Sequence, residues 1–389
     1  MFEFGEDKPN DECGVFGIYA PTHEVARLTY YALYALQHRG QKNARIVVSD
    51  GQNIVAHKGL GLVSEVFSDR VVEGLKGTMA IGHVRSSGNN ETMMDLSGAY
   101  ALVILAEGQL IGLRDPHGVR PLCIGRLDHG YCLASESCAL STIGAEFLRD
   151  VEPGEIVVID EEGLHSHQGF SKIERTSCAF EYIHFARSDS TIDQLSVSES
   201  RSRMGIELAR EYPVEADLVI AVPDSGTASA LAYATALGLP YGEGIIRNRY
   251  VHGTYTQPKK AMQEMDVRLM LNANASVLKD KRVVMIDDSL VQGTTSSKLV
   301  DMVRKAGTKE VHFLISSPPL AHPCCYGIDA VKREKLIATQ CNVEAIRKFV
   351  GADSLYYLTE QGLLRALGLN SVCLACFNGA HPIPASKVN

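Results

Sequence analysis

The chain has 389 residues, of which 45% are hydrophobic and 22% charged, a composition that is ordinary for a globular protein with two domains. Its 46 acidic and 38 basic residues give a formal net charge of -8, so the surface offers no general positive potential to a nucleic-acid backbone or an anionic membrane. Nucleic-acid and membrane-surface binding are therefore excluded as main functions, and any phosphate site must be local.

The first twelve residues are acidic and polar, whereas a secretory signal needs a basic start followed by an apolar stretch. Apolar runs such as Leu218–Val222 have the length of a strand and are far too short to span a bilayer. We therefore expect a cytoplasmic protein. Its ten cysteines are expected to serve as metal ligands, a nucleophile or small buried side chains rather than as a disulfide framework.

The N-terminal half is predicted to consist of short strands in stacked antiparallel sheets. Turn signals interrupt its apolar runs at residues 49–51, 128–130 and 161–163. The polar stretch Lys172–Thr176 separates this pattern from the next one, which predicts a first domain over residues 13–172.

The C-terminal half is predicted to be an α/β domain over residues 173–389. From about Pro213 the chain alternates apolar strands, Gly-bearing loops and amphipathic helices. The predicted strands and helices are, in chain order, Leu218–Val222, Thr227–Leu237, Val283–Ile286, Ser296–Ala306 and Val311–Ile315. This order is typical of a doubly wound, mainly parallel sheet.

The strand Val283–Ile286 is followed by two carboxylates, Asp287 and Asp288, and by a Gly loop that opens a helix. Backbone N–H groups of such a loop and of the helix N-terminus can bind a phosphate, with the hydroxyl groups of Thr294 and Thr295 as further donors. The paired acids are placed to accept hydrogen bonds from ribose hydroxyls and to hold Mg²⁺. A Gly-Thr-Thr turn alone occurs in many α/β proteins, whereas two adjacent acids at a strand end indicate a ligand.

The whole string from 283 to 295 resembles the phosphoribosyl-diphosphate signature of type I phosphoribosyltransferases. The resemblance implies that Ser289 and Gly293 also line the ligand site. An earlier loop, which also follows an apolar strand, is similar to the pyrophosphate loop of that family and contains Asp224 and Ser225. We therefore expect both residues to bind phosphoribosyl diphosphate, and Ser225 to join the two strand-end acids at the Mg²⁺ ion.

Further segments narrow the resemblance to the glutamine-dependent amidophosphoribosyltransferases, over nearly the whole chain. They are, in chain order, Glu12–Ile18, Leu36–Gln41, Arg114–Leu122, Arg247–Val251, Gln257-Pro258, Ser316–Pro319 and Tyr326–Asp329. The resemblance implies an α+β N-terminal-nucleophile glutaminase-like sandwich, shortened here, followed by an α/β type I phosphoribosyltransferase domain with a mainly parallel sheet.

The same resemblance implies an activity. Enzymes of this family make 5-phosphoribosylamine from phosphoribosyl diphosphate and glutamine, or ammonia, in the first step of de novo purine biosynthesis. Purine nucleotides as inhibitors and a homotetramer are also implied.

The resemblance also implies the nucleophile of the first domain. In the family a short leader is removed, here residues 1–12, and the exposed cysteine attacks the side-chain amide of glutamine with its own α-amine as the base. Cys13 is therefore the expected nucleophile, and Arg85 matches the arginine that holds the glutamine α-carboxylate. On the residues alone, a lone cysteine in this apolar context is more often a buried strand residue, and Arg85 could belong to a surface salt bridge.

Cys373 and Cys376 form a C-x-x-C pair, which on its own could be a zinc half-site, a redox dithiol or two buried residues. The surrounding sequence resembles the iron-sulfur subclass of the family, whose other two ligands match Cys178 and Cys324. Four thiolates suit a 4Fe-4S cluster but do not by themselves exclude zinc, and Cys325 competes with Cys324 for the assignment. The cysteines in apolar context are expected to be structural, namely Cys123, Cys132, Cys138 and Cys341.

The N-terminal half lacks a segment that the family normally has. After Gly82–Gly88 the chain passes through Asn89-Asn90 and soon reaches Asp95–Tyr100. The absent segment carries the Asn-Gly pair of the oxyanion hole and the acid that binds the glutamine α-amine. Since one oxyanion donor is commonly worth about 3 kcal/mol, we expect an impaired glutaminase. Arg45 also stands where the family prefers a small residue.

The C-terminal half departs from the family by the loss of three cations. His252-Gly253 replaces a Gly-Arg pair in the mobile loop, Met270 replaces a lysine and Gln292 replaces an arginine. Each cation would help to neutralise phosphate groups, so their loss is expected to weaken ligand binding or loop closure. The arginines expected to compensate are Arg247, Arg249 and Arg268.

These departures leave three hypotheses for the function. The first is the glutamine-dependent enzyme of the family, and the second is the same enzyme supplied with ammonia. The third is a catalytically weakened paralogue that binds phosphoribosyl ligands or purine nucleotides as a regulatory or scaffolding subunit.

Overall fold

A computed structural model describes residues 13–85, 98–170, 173–248, 269–326 and 333–383. Some predictions fall outside these residues, namely those on the leader 1–12, Asn89-Asn90, the domain boundary at 172, Arg249–Val251, His252-Gly253, Gln257-Pro258, Arg268 and residues 327–329. Within the described ranges, no helix is long and apolar enough to cross a membrane.

The first domain contains two antiparallel sheets. Its strands are β1 (Cys13–Tyr19), β2 (Asn43–Ser49), β3 (Ile54–Leu60), β4 (Met79–Arg85), β5 (Ala101–Ala106), β6 (Gln109–Arg114), β7 (Cys123–Leu127), β8 (Gly130–Ala134), β9 (Glu146–Asp150), β10 (Glu155–Asp160) and β11 (Gly163–Gln168). The described strands form a seven-stranded sheet in the order β3-β2-β4-β1-β8-β7-β9 and a four-stranded sheet in the order β11-β10-β6-β5.

The two sheets of the first domain share one apolar core. Ile124 and Leu133 contribute to it from the larger sheet, and Val157 and Ile159 from the smaller one. Buried positions alternate along β10 with the period of two that a strand with one buried face requires. The predicted stack of antiparallel sheets is therefore confirmed.

Helices pack against the larger sheet and form a second core with it. The described helices of this domain are Val25–Ala35, Val63–Val66, Asp69–Gly74 and Ser137–Thr142, with a 3-10 turn at Gln37–Arg39. Ala32 and Leu33 of the longest helix belong to the same buried cluster as Ile46 of β2 and Ala80 of β4. The domain is thus layered as helix, sheet and sheet.

The second domain is built on a parallel sheet. Its strands are β12 (Ser177–Cys178), β13 (Thr191–Ile192), β14 (Leu195–Ser196), β15 (Leu218–Ala221), β16 (Ile245–Arg247), β17 (Leu271–Ala273), β18 (Arg282–Asp287), β19 (Glu310–Ile315), β20 (Ser354–Tyr357) and β21 (Val372–Cys373). The described main sheet has the order β15-β18-β19-β20, with parallel neighbours throughout. Beside it lie a parallel pair, β12-β21, and two antiparallel pairs, β13-β14 and β16-β17.

Both faces of this parallel sheet are buried, each in its own apolar core. Val219 and Val284 belong to one core, whereas Ile220 and Met285 belong to the other. The described helices of the domain are Val197–Glu211, Thr227–Leu237, Ala275–Leu278, Thr294–Lys305, Ile337–Gln340, Val343–Val350, Glu360–Leu367 and Ala375–Asn378, with a 3-10 turn at Arg333–Lys335. A parallel sheet covered on both faces confirms the predicted α/β architecture.

The predicted elements of this domain lie within two residues of the observed ones. The helix Thr227–Leu237 begins and ends as expected, because Gly238 follows it in the left-handed conformation with a φ of 67°. The helix expected from Ser296 begins earlier, at Thr294, and thus directly after the Gly loop.

A π-helical segment, Glu181–Phe185, joins the two domains through its first residue. The carboxylate of Glu181 accepts hydrogen bonds from Arg39, with 2.5 Å between Nη2 and Oε2, and from Arg120, with 3.2 Å between Nη1 and Oε1. Arg39 and Glu181 are almost completely buried. Because a buried charge is tolerated only with a partner, these contacts fix the position of the segment against the first domain.

A second buried ion pair joins the domains at the hairpin β13-β14. Both terminal nitrogens of Arg114 donate to the carboxylate of Asp193, over 2.8 and 3.0 Å. Asp150 lies beside this pair and its Oδ2 accepts the backbone N–H of Gln194 over 3.3 Å. Burial, together with the charge of Asp193, raises the pKa of Asp150 to about 6, although Arg114 opposes the shift.

We predict that Asp150→Asn stabilises the protein above pH 6. The folded-state pKa of Asp150 lies above the unfolded value, so the protonated carboxyl favours folding below about pH 4, and this contribution is lost as the pH rises through 6. The variant should raise the free energy of unfolding by about 2–3 kcal/mol at pH 8 and by almost nothing at pH 4. Denaturant titrations at both pH values measure this. The exposed Asp69→Asn is the control, and equal effects of the two variants at pH 8 would contradict the prediction.

Candidate functional site

The strand β18 brings Asp287 and Asp288 to the C-terminal edge of the parallel sheet. The two acids are 2% and 1% exposed because β18 lies between two neighbouring strands. Gly293 has a φ of 78°, a left-handed conformation that favours glycine, and the helix Thr294–Lys305 starts directly after it. The predicted succession of strand, paired acids, Gly loop and helix is therefore present.

The carboxylate of Asp288 is held by two side chains. Its Oδ1 accepts a hydrogen bond from the hydroxyl of Ser289 over 2.8 Å, and its Oδ2 lies 2.8 Å from Nδ1 of His184. The backbone N–H of Asp288 donates to Oδ1 of Asp287, also over 2.8 Å. No sequence motif marks His184, which reaches this site from the π-helical segment.

The loop after β15 lies beside the two acids. The backbone N–H of Val222 donates to the carbonyl of Ile286 over 2.8 Å. A Cβ atom on Gly226 would lie 2.6 Å from that same carbonyl oxygen and 3.3 Å from Cα of Asp287, so a larger residue there would push the loop away. The two loops that were expected to bind one ligand are therefore adjacent.

The other predicted ligand residues lie nearer to the surface. Asp224 is exposed and forms an ion pair with Arg247, with 2.5 Å between Oδ2 and Nη1. Ser225 is half-buried in the same loop, and at the start of the helix Thr294 is exposed and Thr295 half-buried. These hydroxyl and carboxylate groups lie on the two loops that follow β15 and β18.

The residues that replace family cations are placed as follows. Met270 packs against the apolar core on one face of the parallel sheet, so its side chain contributes to packing. Gln292 is half-buried in the Gly loop. In the first domain, Arg45 is exposed on β2 and is paired in register with His83 of β4.

The candidate glutamine site lies at one end of the larger sheet of the first domain. There β1 and β4 place Cys13 directly opposite Arg85. A Cβ atom on Gly40 would lie 2.4 to 2.6 Å from backbone atoms of Arg85, and the backbone N–H of Lys42 donates to the carbonyl of Arg85 over 2.9 Å. The segments of Cys13, Gly40 and Arg85, which were identified separately in the sequence, therefore lie next to one another at this end of the sheet.

Arg39 extends from this end of the sheet to the domain joint. Arg39 forms ion pairs with both Glu136 and Glu181. Glu136 has two further contacts: its Oε1 lies 2.6 Å from Nε2 of His38, and its carboxylate accepts a hydrogen bond from the hydroxyl of Ser190 over 2.6 Å. Although burial opposes it, Arg39 and His38 hold the pKa of Glu136 well below its usual range. Glu136 is therefore ionised at neutral pH.

The four cysteines predicted to hold a cluster share one apolar core. Cys178 and Cys373 are directly opposite each other on the parallel pair β12-β21. Cys376 is buried in the same core, and Cys324 packs against it, whereas the adjacent Cys325 is exposed. This arrangement favours Cys324 over Cys325 as the fourth member.

The thiol groups of this core influence one another. Burial raises the pKa of Cys178, Cys373 and Cys376, and neighbouring cysteines add to the increase. Together these effects bring the pKa of Cys373 to about 11. Within the described residues, no group of three or more His, Cys, Asp or Glu side chains has the geometry to hold a metal ion. All ten cysteines lie in the described part of the chain, and none forms a disulfide.

The expected structural cysteines are placed in apolar surroundings. Cys123, Cys132 and Cys138 are buried in the cores of the first domain. Cys341 is half-buried and packs against one face of the parallel sheet.

Comparison with known proteins agrees with this architecture. The family model of the phosphoribosyl transferase domain matches residues 202–327. A solved structure of glutamine phosphoribosylpyrophosphate amidotransferase from B. subtilis, complexed with ADP and GMP, matches with a TM-score of 0.88 and 41% identity, over 96% of this chain and 100% of that chain. Fold and site thus define a phosphoribosyltransferase domain that follows a glutaminase-like domain.

Curated relatives are similar to this chain over both domains. The amidophosphoribosyltransferase of Bacillus subtilis (strain 168) is 42% identical over 96% of this chain and 94% of its own length. That of Methanocaldococcus jannaschii is 40% identical over 95% of this chain and 97% of its own length. The chain belongs to the amidophosphoribosyltransferase family, glycosyltransferases of purine biosynthesis.

The alignments also bear on the length of the chain. The alignment with the B. subtilis relative extends over 451 positions, whereas this chain has 389 residues. The relative therefore has residues without a counterpart here.

We predict that the double substitution Asp287→Asn with Asp288→Asn abolishes binding of phosphoribosyl diphosphate in the presence of Mg²⁺. Amide groups keep the shape of the carboxylates but remove both negative charges, so affinity should fall by at least about 100-fold. Calorimetry measures the dissociation constant. The exposed Asp301→Asn on the following helix is the control. Unchanged affinity in the double variant, with a normal melting temperature, would rule out this site.

Proposed function

We propose that the C-terminal edge of the parallel sheet binds phosphoribosyl diphosphate and forms 5-phosphoribosylamine there. The nitrogen of ammonia attacks C1 of the ribose, the C1–O bond to pyrophosphate breaks, pyrophosphate leaves with the bonding electrons, and the nitrogen loses a proton. The pair of buried acids Asp287 and Asp288 beside two phosphate-type loops is the observation that supports this function most directly.

The acids and the Gly loop bind opposite ends of the ribose phosphate. Asp287 and Asp288 accept hydrogen bonds from ribose hydroxyls, since carboxylates at a strand end can receive both. The backbone N–H groups at Gly293, Thr294 and Thr295 bind a phosphate at the N-terminus of their helix, where the helix dipole favours negative charge. The positive φ at Gly293 supports this role because it lets the backbone approach the ligand.

The loop of Asp224 and Ser225 binds the pyrophosphate group. Arg247 already lies against Asp224, so a bound pyrophosphate would compete for that guanidinium and gain a charged partner. Oxygens of Ser225 and the two strand-end acids are ligands that suit Mg²⁺, which supplies positive charge to the leaving group when it is bound. Ser289 keeps Asp288 oriented through their hydrogen bond.

The first domain supplies ammonia through Cys13. After removal of residues 1–12, the thiolate of Cys13 attacks the amide carbon of glutamine while the new α-amine accepts a proton. Arg85 holds the α-carboxylate of glutamine. The position of Arg85 directly opposite Cys13 on adjacent strands supports this assignment.

This first reaction is expected to be weak in the present chain. The segment that carries the oxyanion donors and the acid for the glutamine α-amine in the family is expected to be missing here, and an alignment of 451 positions against a chain of 389 residues is compatible with missing residues. Ammonia from solution needs only the second domain, so ammonia-dependent synthesis is expected to exceed glutamine-dependent synthesis.

We assign a 4Fe-4S cluster to the four-cysteine core. It would link Cys373 and Cys376 to Cys178, which is distant from them in sequence. Thiolates of Cys178, Cys324, Cys373 and Cys376 provide the four ligands of such a cluster. Their common core and the register of Cys178 with Cys373 support the assignment. The cluster has a folding role, because it links segments that are distant in sequence.

The expected regulation rests on a relative, and the expected assembly rests on the family resemblance of the sequence. The B. subtilis structure is a complex with ADP and GMP, so purine nucleotides are the expected inhibitors here. A homotetramer is the expected assembly.

We predict that anaerobically purified protein contains roughly four iron atoms per chain. Cys376→Ser should lose the iron and lower the melting temperature, because one ligand of a folding-linked cluster is removed. The substitution of the exposed Cys325, Cys325→Ser, is the matched control and should retain the iron content and the melting temperature of the unmodified protein. One equivalent of zinc, or absence of metal together with an unchanged melting temperature of Cys376→Ser, would contradict the cluster.

We predict that glutamine-dependent formation of phosphoribosylamine is far slower than the ammonia-dependent reaction, even after removal of residues 1–12. A missing oxyanion donor, worth about 3 kcal/mol, should slow glutamine hydrolysis by about 100-fold or more relative to an intact glutaminase. Parallel assays with glutamine and with ammonia measure it. Cys13→Ala should leave the ammonia rate unchanged and lower the residual glutamine rate. Equal rates with both donors, with the glutamine rate lost in Cys13→Ala, would show an intact glutaminase.

A further inference from the structure

His184 is a half-buried histidine that has no assigned role in the proposed reaction. Its side chain is 25% exposed, and its Nδ1 lies 2.8 Å from Oδ2 of Asp288, a carboxylate that is almost inaccessible to solvent. An ionised carboxylate can only accept hydrogen bonds, so Nδ1 of His184 carries the donated proton. The contact crosses 104 positions of the sequence and therefore depends on the tertiary fold.

The backbone that carries His184 is held in place by a buried arginine. Arg201, 3% exposed, donates from Nε to the carbonyls of Tyr182 and Ile183 over 2.9 and 3.1 Å, and from Nη2 to the carbonyl of Ala186 over 2.8 Å. A π-helical turn leaves carbonyl groups without regular helical partners, and Arg201 satisfies several of them. π-helical turns often occur at functional sites.

The first residue of the segment is fixed as well. Glu181 is bound by Arg39 and Arg120 from the other domain, so both ends of the turn have strong partners. His184 thus projects from a rigid backbone toward Asp288.

Both oxygens of Asp288 are therefore oriented from the protein side. His184 contacts Oδ2 and Ser289 contacts Oδ1. With both contacts the carboxylate cannot rotate about its Cβ–Cγ bond without losing a hydrogen bond. The orientation of the carboxylate is therefore set before the ligand arrives, which lowers the cost of binding.

We propose that His184 is a positioning residue for the phosphoribosyl reaction, which acts by fixing the carboxylate of Asp288 toward the ribose hydroxyls. This inference rests on the proposed function, because it assigns the ligand to Asp288. It adds a residue from the domain joint to the site at the sheet edge.

Three substitutions of His184 in the full chain test the hydrogen bond. His184→Phe keeps a ring but removes the donor, His184→Asn places an amide nitrogen close to the position of Nδ1, and His184→Gln places its amide one bond too far. With ammonia as the nitrogen donor, KM for phosphoribosyl diphosphate should rise about 10- to 100-fold in His184→Phe, as expected for a lost hydrogen bond to a charged group. His184→Asn should recover to within about threefold of the unmodified protein, and KM for ammonia should stay unchanged in all three.

Two results would overturn the inference. An unchanged KM in His184→Phe means that Asp288 needs no such contact, and equal defects in His184→Asn and His184→Gln mean that side-chain shape matters rather than the donor position. If His184→Phe does not fold, the comparison of Asn with Gln still decides. Asp288→Asn in the same assay separates this inference from the proposed function: if that variant retains its affinity, the assignment of the site itself is wrong.

Discussion

The arrangement of both sites depends on the buried carboxylate of Glu181, which receives guanidinium groups from Arg39 and Arg120 of the first domain. Removing one partner of a buried ion pair leaves an uncompensated charge and commonly costs about 3–5 kcal/mol, so these contacts tolerate little displacement of either domain. Arg39 adjoins Gly40 and the candidate glutamine site, whereas Glu181 opens the segment that leads to Asp288. This ion cluster, together with the Arg114–Asp193 pair, therefore fixes where one candidate site lies relative to the other.

The residues just before Glu181 extend the same framework to the cysteine core. Phe180 is fully buried and stacks on Phe377, with 5.8 Å between ring centroids, next to Cys376. Cys178 lies two residues before Phe180 and is opposite Cys373. The short stretch from Cys178 to His184 thus contacts the cysteine core, the first domain and the candidate phosphoribosyl site in turn. A cluster that organises this core would support the geometry of the acids through close packing rather than through its own chemistry.

The strand, Gly loop and helix around Asp287 could be predicted because each signal is local: an apolar run of strand length, a turn residue and a helical period. The grouping of Cys178 with Cys324, Cys373 and Cys376 was accessible through family resemblance, since nothing in the spacing of distant cysteines specifies their neighbours. His184 and Arg201 could not be found this way, because their roles arise from contacts across the fold and a π-helical turn has no clear sequence signal. Similarly, Arg114 belongs to a motif of the glutaminase-like half, yet it binds Asp193 across the domain joint.

The pairing of β12 with β21 has a consequence for the order in which the molecule is made. These strands are the first and last described strands of the second domain, and almost all of its described residues lie between them. A growing polypeptide can complete the sheets of the N-terminal half early, but it cannot form this pair until residue 373 has left the ribosome. Closing so long a loop carries an entropic cost that local helices do not have. Nascent chains should therefore expose the apolar residues around Phe180 until β21 has emerged, and this stage is the one at which a chaperone would bind them.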